Sequence, residues 1–283
     1  MPHAVVLNTA SKSSTTGGTF ADTLTANNLD SLSVPSLQSG EGKIIRMWGI
    51  DSASVAELAL TSNRPETSHD PQFGIRFNIP PNVGGTAGNP AGAPLLEPPN
   101  EVPIYSGDTL TMTVSSTAAD AVVVSWMSEY QDLPGVSAKF TTLDRAQSMR
   151  TSEIGIRVAP VASATKGAYG TARAANADDT RWTGSRYYAL LGFTVQIPCV
   201  TVSFRYSGWG NQRFGCPAGM AFLNTSNFFS DMAAKYNEPL IPVFSGFDVG
   251  NVLLEVADDA ANTTPKVDML CIECSADPSI GGY

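Results

Sequence analysis

The side chains in this sequence able to hold a metal or move a proton are four cysteines, two histidines and 26 acidic residues. Cys271 and Cys274 have the C-x-x-C spacing of half a zinc site. The other half is missing, because Cys199 and Cys216 stand far apart and His3 and His69 are isolated. Residues three apart on a strand also face opposite sides, so a strand could not aim both thiols at one ion. The four cysteines are therefore expected to be free thiols packed as small apolar side chains. Phosphate-cradling chemistry fails on the motif: Gly42-Lys43 is followed by Ile44, not Ser or Thr. Gly208-Trp209-Gly210 opens like a dinucleotide fingerprint, but Arg213 stands where the third glycine belongs. No Gly-x-Ser-x-Gly elbow is present, and a Ser-His-Asp arrangement would have to recruit His3 or His69 from an arm or a loop.

Two sets of residues remain. Glu255 and Glu273 fall on predicted neighbouring strands with Asp258-Asp259 between them, the minimum for carboxylate acid–base work. On an acidic chain such residues are ordinarily solvated. Tyr187, Tyr188, Tyr206, Trp209 and Phe214 could form a platform for sugars, although aromatics of this kind more often fill a core or a subunit interface. The expectation is a protein with no catalytic, cofactor-binding or metal-ligating residue, hence not an enzyme.

What positions these residues is read from composition and periodicity. Only 15% of the 283 residues are charged and 42% are hydrophobic, too few charges for the Glu/Lys-rich faces of a helical bundle. Short apolar runs separated by turn residues recur along the chain, and Leu110 to Val114 and Ile154 to Val158 alternate with period two. That alternation marks strands with one buried face, and many such strands indicate a sandwich or barrel. One helix is expected over Phe228 to Tyr236, with Ser226-Asn227 as its N-cap and Asn237 at its end. Residues 80–100 are read as a long Gly/Pro-rich loop and residues 159–184 as a second irregular stretch. A net charge of −9 with scattered basic residues speaks against nucleic-acid binding. No apolar run reaches the roughly 20 residues of a membrane span, and no signal peptide is recognised. Synthesis and retention in the cytoplasm are expected. The sequons at Asn224 and Asn262 then carry no meaning.

An internal repeat organises the rest. Pro103-Ile104-Tyr105-Ser106-Gly107 reappears about 140 residues later as Pro242-Val243-Phe244-Ser245-Gly246. Leu110 to Val114 then corresponds to Val252 to Val256, and Ala121 to Tyr130 to Val267 to Cys274. Upstream, Gln72-Phe73-Gly74 aligns with Arg213-Phe214-Gly215, and Ile44 to Ile50 with Tyr187 to Leu191. In both copies the glycine after serine is expected to supply a positive φ. A period this long means duplicated domains, since solenoid repeats run about 20–50 residues.

With this layout the chain resembles the double jelly-roll major capsid proteins of tailless icosahedral viruses, the lineage of adenovirus hexon and of membrane-containing bacteriophages. The resemblance covers roughly residues 21–275 and rests on the duplicated Pro103-to-Gly107 and Pro242-to-Gly246 segments. It implies an all-β fold of two tandem jelly rolls with one short helix in the second. The domains would be a polar arm at 1–20, a first jelly roll at 21–135, a linker at 136–148, a second jelly roll at 149–275 and a tail at 276–283. It implies a homotrimer tiling a virion shell with other capsid proteins such as a penton, an internal membrane layer beneath, no cofactor and no direct contact with nucleic acid. The alternative is a β-sandwich adhesion or carbohydrate-binding protein of the spike, fibre or surface kind.

Overall fold

In the computed structural model, residues 4–280 are described except 13–15, 27–40, 52–54, 65–73, 79–92, 98, 120–121, 131–138, 165–167, 196–198, 207–212, 218–224, 238 and 259–262. The described chain is all-β, with four antiparallel sheets and two short helices.

The sheets divide by sequence. In the first half, β1 (Ala4–Lys12), β10 (Val122–Tyr130), β4 (Glu41–Asp51) and β8 (Val102–Tyr105) pair in that order, with β3 (Thr25–Ala26) and β7 (Ala93–Leu96) added to the same sheet. Opposite lie β2 (Gly18–Thr23), β9 (Leu110–Ser116), β5 (Val55–Ser62) and β6 (Ile75–Asn78). In the second half, β12 (Arg150–Val158), β19 (Val267–Cys274), β14 (Tyr187–Val195) and β17 (Ile241–Ser245) form one sheet, extended by β11 (Phe140–Thr141). The other contains β13 (Arg173–Ala174), β18 (Leu253–Asp258), β15 (Cys199–Arg205) and β16 (Arg213–Pro217). If the eight principal strands of each half are counted in chain order, both halves have the order 1-8-3-6 in one sheet and 2-7-4-5 in the other. The duplicated Pro-to-Gly segment supplies the sixth strand and its turn in each half. Three of the aligned segments, Leu110 to Val114, Val122 to Tyr130 and Ile44 to Ile50, fall on strands equivalent to those of Val252 to Val256, Val267 to Cys274 and Tyr187 to Leu191. Gln72-Phe73 lies outside the described residues.

Each half has its own core. In the first, alternation along β9 buries Leu110, Met112 and Val114, which meet Leu58, Leu60, Val122, Val124 and Trp126. In the second, Tyr188, Phe193, Val202, Phe204, Leu254, Val256 and Met269 pack together. The second cluster also takes in Ile45, Trp48 and Met127 from the first half. The cause is a bulge. Met127 pairs with Arg46 and Ser128 with Ile44, which leaves Ile45 as the extra residue of β4. A bulge resets which side chains share a face, so Ile44 and Met47 enter the first core while Ile45 and Trp48 turn toward the second half.

Helix α2 (Phe228–Tyr236) waits there. Its Phe228, Phe229, Met232 and Ala233 are buried, while Asp231 and Lys235 are exposed. The rings of Trp48 and Phe228 lie 5.6 Å apart. The helix ends at Asn237, whose left-handed φ of 53° lets its N–H reach the Ala233 carbonyl. The expected bounds hold, but the cap differs: a 3-10 turn (Thr225–Asn227) leads in, and the Asn227 side chain caps nothing.

Three sequence expectations need correction. The start of the chain is not an arm through residue 20, because Ala4–Lys12 pairs along its whole length with β10 and Gly18–Thr23 pairs with β9. Hydrogen bonding by an interior strand does not require apolar side chains, and the small Ala10 is fully buried. The 136–148 linker holds β11 and a capped helix, α1 (Leu143–Ser148), whose Thr142 hydroxyl accepts from the Arg145 N–H. Of the Gly/Pro-rich 80–100 segment, residues 80–92 and 98 lie outside the described residues, and the described part holds β7, which adds to the edge of β4 opposite Met47 and Trp48. The described residues of the stretch 159–184 are irregular, as expected, apart from β13 and two isolated bridges.

Candidate functional site

Two places in the described residues bring distant segments together. The first is the contact between the halves. Arg46, 5% exposed, points across it. Its guanidinium pairs with Glu97, donates to the Met232 sulfur at 3.1 Å and lies 5.2 Å over the Trp48 ring. Glu97 also receives Lys235 of α2 at 3.5 Å. The strand after the Gly/Pro loop and the helix of the second half are thus tied through one carboxylate. β16 lies against β1 and β10 along the same seam. Two cations share an acid beside a packed indole, which ties the two halves together.

The second is a depression of about 250 Å³ at one end of the second half. It is lined by Lys139 before β11, Tyr187 at the start of β14, Tyr206 after β15, Val243 to Ser245 of β17, Phe247 and Asp248 of the following 3-10 turn, and Asp277. Antiparallel pairing of β14 with β17 and of β11 with β17 brings those ends together. The Val243 N–H donates to the Lys139 carbonyl at 2.6 Å. The Tyr206 hydroxyl donates to Asp248 at 3.0 Å. Burial first, then that hydrogen bond and the Asp248 charge, push Tyr206 up to about 12, so it stays a neutral donor. Partial burial works to raise Asp277, but hydrogen bonds from Ser279 and Lys139 outweigh it and hold the carboxyl below the ordinary range. Phe247 is 79% exposed, the most exposed large hydrophobic among the described residues.

Of the aromatics singled out in the sequence, Tyr187 and Tyr206 meet at this depression. Tyr188 faces the core, stacked on Phe244 at 5.7 Å and edge-on to Trp182 at 4.7 Å. Trp209 lies outside the described residues, and Phe214 is placed on β16. Sequence reasoning missed Phe247, Asp248, Lys139 and Asp277. The one available signal was an aromatic directly after the repeated Ser-Gly, where the first half has Asp108.

The carboxylate pair is not assembled. Glu255 is on β18 and Glu273 on β19, in different sheets, so the expectation of neighbouring strands is wrong. Chain-adjacent seventh and eighth strands separate in this strand order. Leu254 and Val256 enter the core, so Glu255 between them points away, toward Arg205 at 4.0 Å. Glu273 accepts from the Ser152 hydroxyl and lies 3.9 Å from Arg186. Asp259, His3 and His69 lie outside the described residues.

Cys271 shares a face of β19 with Val267 and Met269, whereas Cys274 shares the other with Ile272 and lies under α1, its sulfur 3.6 Å from the Ala146 carbonyl. Cys199, Cys271 and Cys274 are buried free thiols. Burial, with Glu273 and Asp277 nearby, pushes Cys274 up to about 11, and burial raises Cys271 as well. Thiolates are the reactive form. An aromatic disulfide reagent at pH 8 is expected to titrate at most one thiol in the folded protein and all four after denaturation. Two or more reactive thiols in the native state would contradict this packing.

No family model matches the chain, and no curated protein does. Among solved structures, the crystal structure of the STIV MCP is similar over 95% of this chain and 96% of that one, at 7% identity and a TM-score of 0.22. The crystal structure of the PBSX exported protein XepA is similar over 95% and 86%, at 9% identity and a TM-score of 0.19. Likenesses at that level carry no argument about role.

Proposed function

We propose that the chain is a structural capsid subunit: two tandem jelly rolls, joined rigidly, that assemble as homotrimers and tile a virion shell. What supports this reading is the identical strand order of the two halves, 1-8-3-6 opposite 2-7-4-5. Eight strands in two facing sheets are the jelly-roll arrangement, shared by viral capsid domains, lectins and cupins. Fold alone does not choose among these. Duplication within one chain favours the first. Three copies of a two-body chain present six similar bodies, which pack as a pseudo-hexagonal tile. A shell of many copies also profits from few charges, since like-charge repulsion between neighbours is then small. In this reading the chain has no catalytic role and no cofactor. Its partners are copies of itself and other shell proteins such as a penton, with a membrane layer and not the genome beneath.

The test is light scattering after size-exclusion chromatography, followed by negative-stain microscopy. The expected result is a species of three times the 29.8 kDa chain with six-lobed outline, forming larger arrays when concentrated. A monodisperse monomer at all concentrations would sink the assembly reading, and co-purified nucleic acid at physiological salt would sink the claim about the genome.

A further inference from the structure

The depression at the end of the second half brings side chains from separate segments around the most exposed large hydrophobic among the described residues, Phe247. We propose that it is a binding subsite for one neutral saccharide ring. Its size comes first: about 250 Å³ falls below the roughly 300 Å³ at which pockets for drug-sized ligands begin, so it suits a single ring. Its chemistry comes next. Phe247 offers an open aromatic face, and Tyr187 and Tyr206 line the same depression. Such faces take the C–H side of a sugar, while its hydroxyls need donors and acceptors side by side. Lys139 and the Ser245 hydroxyl can donate, and Asp248 and Asp277 can accept.

Charge disfavours an anion, which would meet the carboxylates of Asp248 and Asp277. The Lys139 ammonium neutralises Asp277 at 2.9 Å, while the Asp248 carboxylate takes the neutral Tyr206 hydroxyl at 3.0 Å. A cation drawn to the aromatic faces is therefore the competitor that the experiment below separates from a neutral polyhydroxylated ligand.

The site is also held in place before any ligand arrives, which spares the ordering cost of binding. The Gly246 N–H donates to the Arg186 carbonyl at 2.8 Å, and the Ser245 hydroxyl accepts from the Phe247 N–H at 3.2 Å. The Phe247 ring rests on Gly184, so close that a Cβ there would come within 3.0 Å of it. An exposed ring fixed by its own turn presents a ready surface.

The experiment is saturation-transfer NMR and titration calorimetry on the full chain with methyl glycosides of glucose, galactose, mannose and N-acetylglucosamine. At least one glycoside is expected to bind with a Kd in the millimolar range or tighter. Phe247→Ala should weaken it tenfold or more and Phe247→Trp should retain it, both with unchanged thermal unfolding because the ring is exposed. Tyr206→Phe, which removes the donor to Asp248, should weaken binding less than Phe247→Ala. Absence of binding to all four glycosides, equal binding by Phe247→Ala, or preferential binding of tetramethylammonium or acetate would each overturn the proposal. So would a change in oligomeric mass on Phe247→Ala, which would make this face a contact between copies. The oligomeric mass of the unaltered chain bears only on the assembly reading, so the two proposals fail separately.

Discussion

Trp48→Ala is expected to lower the unfolding temperature by roughly 6–10 °C and to split a single calorimetric transition into two. Trp48 is fully buried, and removing a buried aromatic costs about 3–5 kcal/mol in lost transfer energy and cavity. For a chain of this size each kcal/mol moves the midpoint by about 2 °C. The splitting is the more specific outcome. Trp48 belongs to a strand of the first half but packs in the core of the second, against Phe228 of α2 and under the Arg46 guanidinium. Deleting it removes the wedge that makes the halves unfold together. Trp126→Ala is the control. Trp126 is equally buried but lies within the first core, so its loss should cost a similar amount while leaving the halves coupled through the seam. If both variants give the same single transition, Trp48 is not what couples the halves. Trp48→Phe should be milder than alanine for a further reason. Among the described residues the indole N–H finds no acceptor, so phenylalanine gives up an unsatisfied donor along with some packing.

That wedge marks where sequence legibility stops. Strand alternation at Leu110 to Val114, the helix from Phe228 to Asn237 and the placement of the repeat on equivalent strands were all readable, because each follows from local periodicity or from matching segments. The bulge at Ile45 was not. A run such as Ile44-Ile45-Arg46-Met47-Trp48 has no single period, and only the pairing with β10 shows which side chains serve which core. β1 and β7 hid for a related reason: Ser, Thr, Asn and Pro look like loop residues until a neighbouring strand takes up their backbone groups. The saccharide site was half visible. Tyr187 and Tyr206 stood out as aromatics, but Lys139, Phe247 and Asp277 come from three further segments that only the strand order brings together.

The repeated Ser-Gly gives the sharpest divergence between the two halves, and a pair of substitutions exposes it. Both glycines were expected to supply a positive φ. Gly107 does, at 80°, with open space where a side chain would go. Gly107→Ala should therefore cost about 1 kcal/mol, the price of a left-handed alanine. Gly246 is different. It is absent from the positive-φ positions and opens a 3-10 turn. A Cβ there would sit 2.1 Å from the Thr183 carbonyl oxygen and 3.1 Å from that of Arg186. Both obstacles are backbone, so neither can swing aside as a flexible side chain would. Gly246→Ala must push the turn off residues 183–186, breaking its bond to the Arg186 carbonyl and shifting Phe247 from its seat on Gly184. The expected loss is several-fold that of Gly107→Ala, about 3 kcal/mol or more, as for other strained overpacked sites. Denaturant unfolding of the two variants reads the difference directly. Equal losses would mean that the duplicated turn does one job in both halves; a large loss at Gly246 alone means that the second copy has been rebuilt to press its turn against residues 183–186 and hold Phe247 outward.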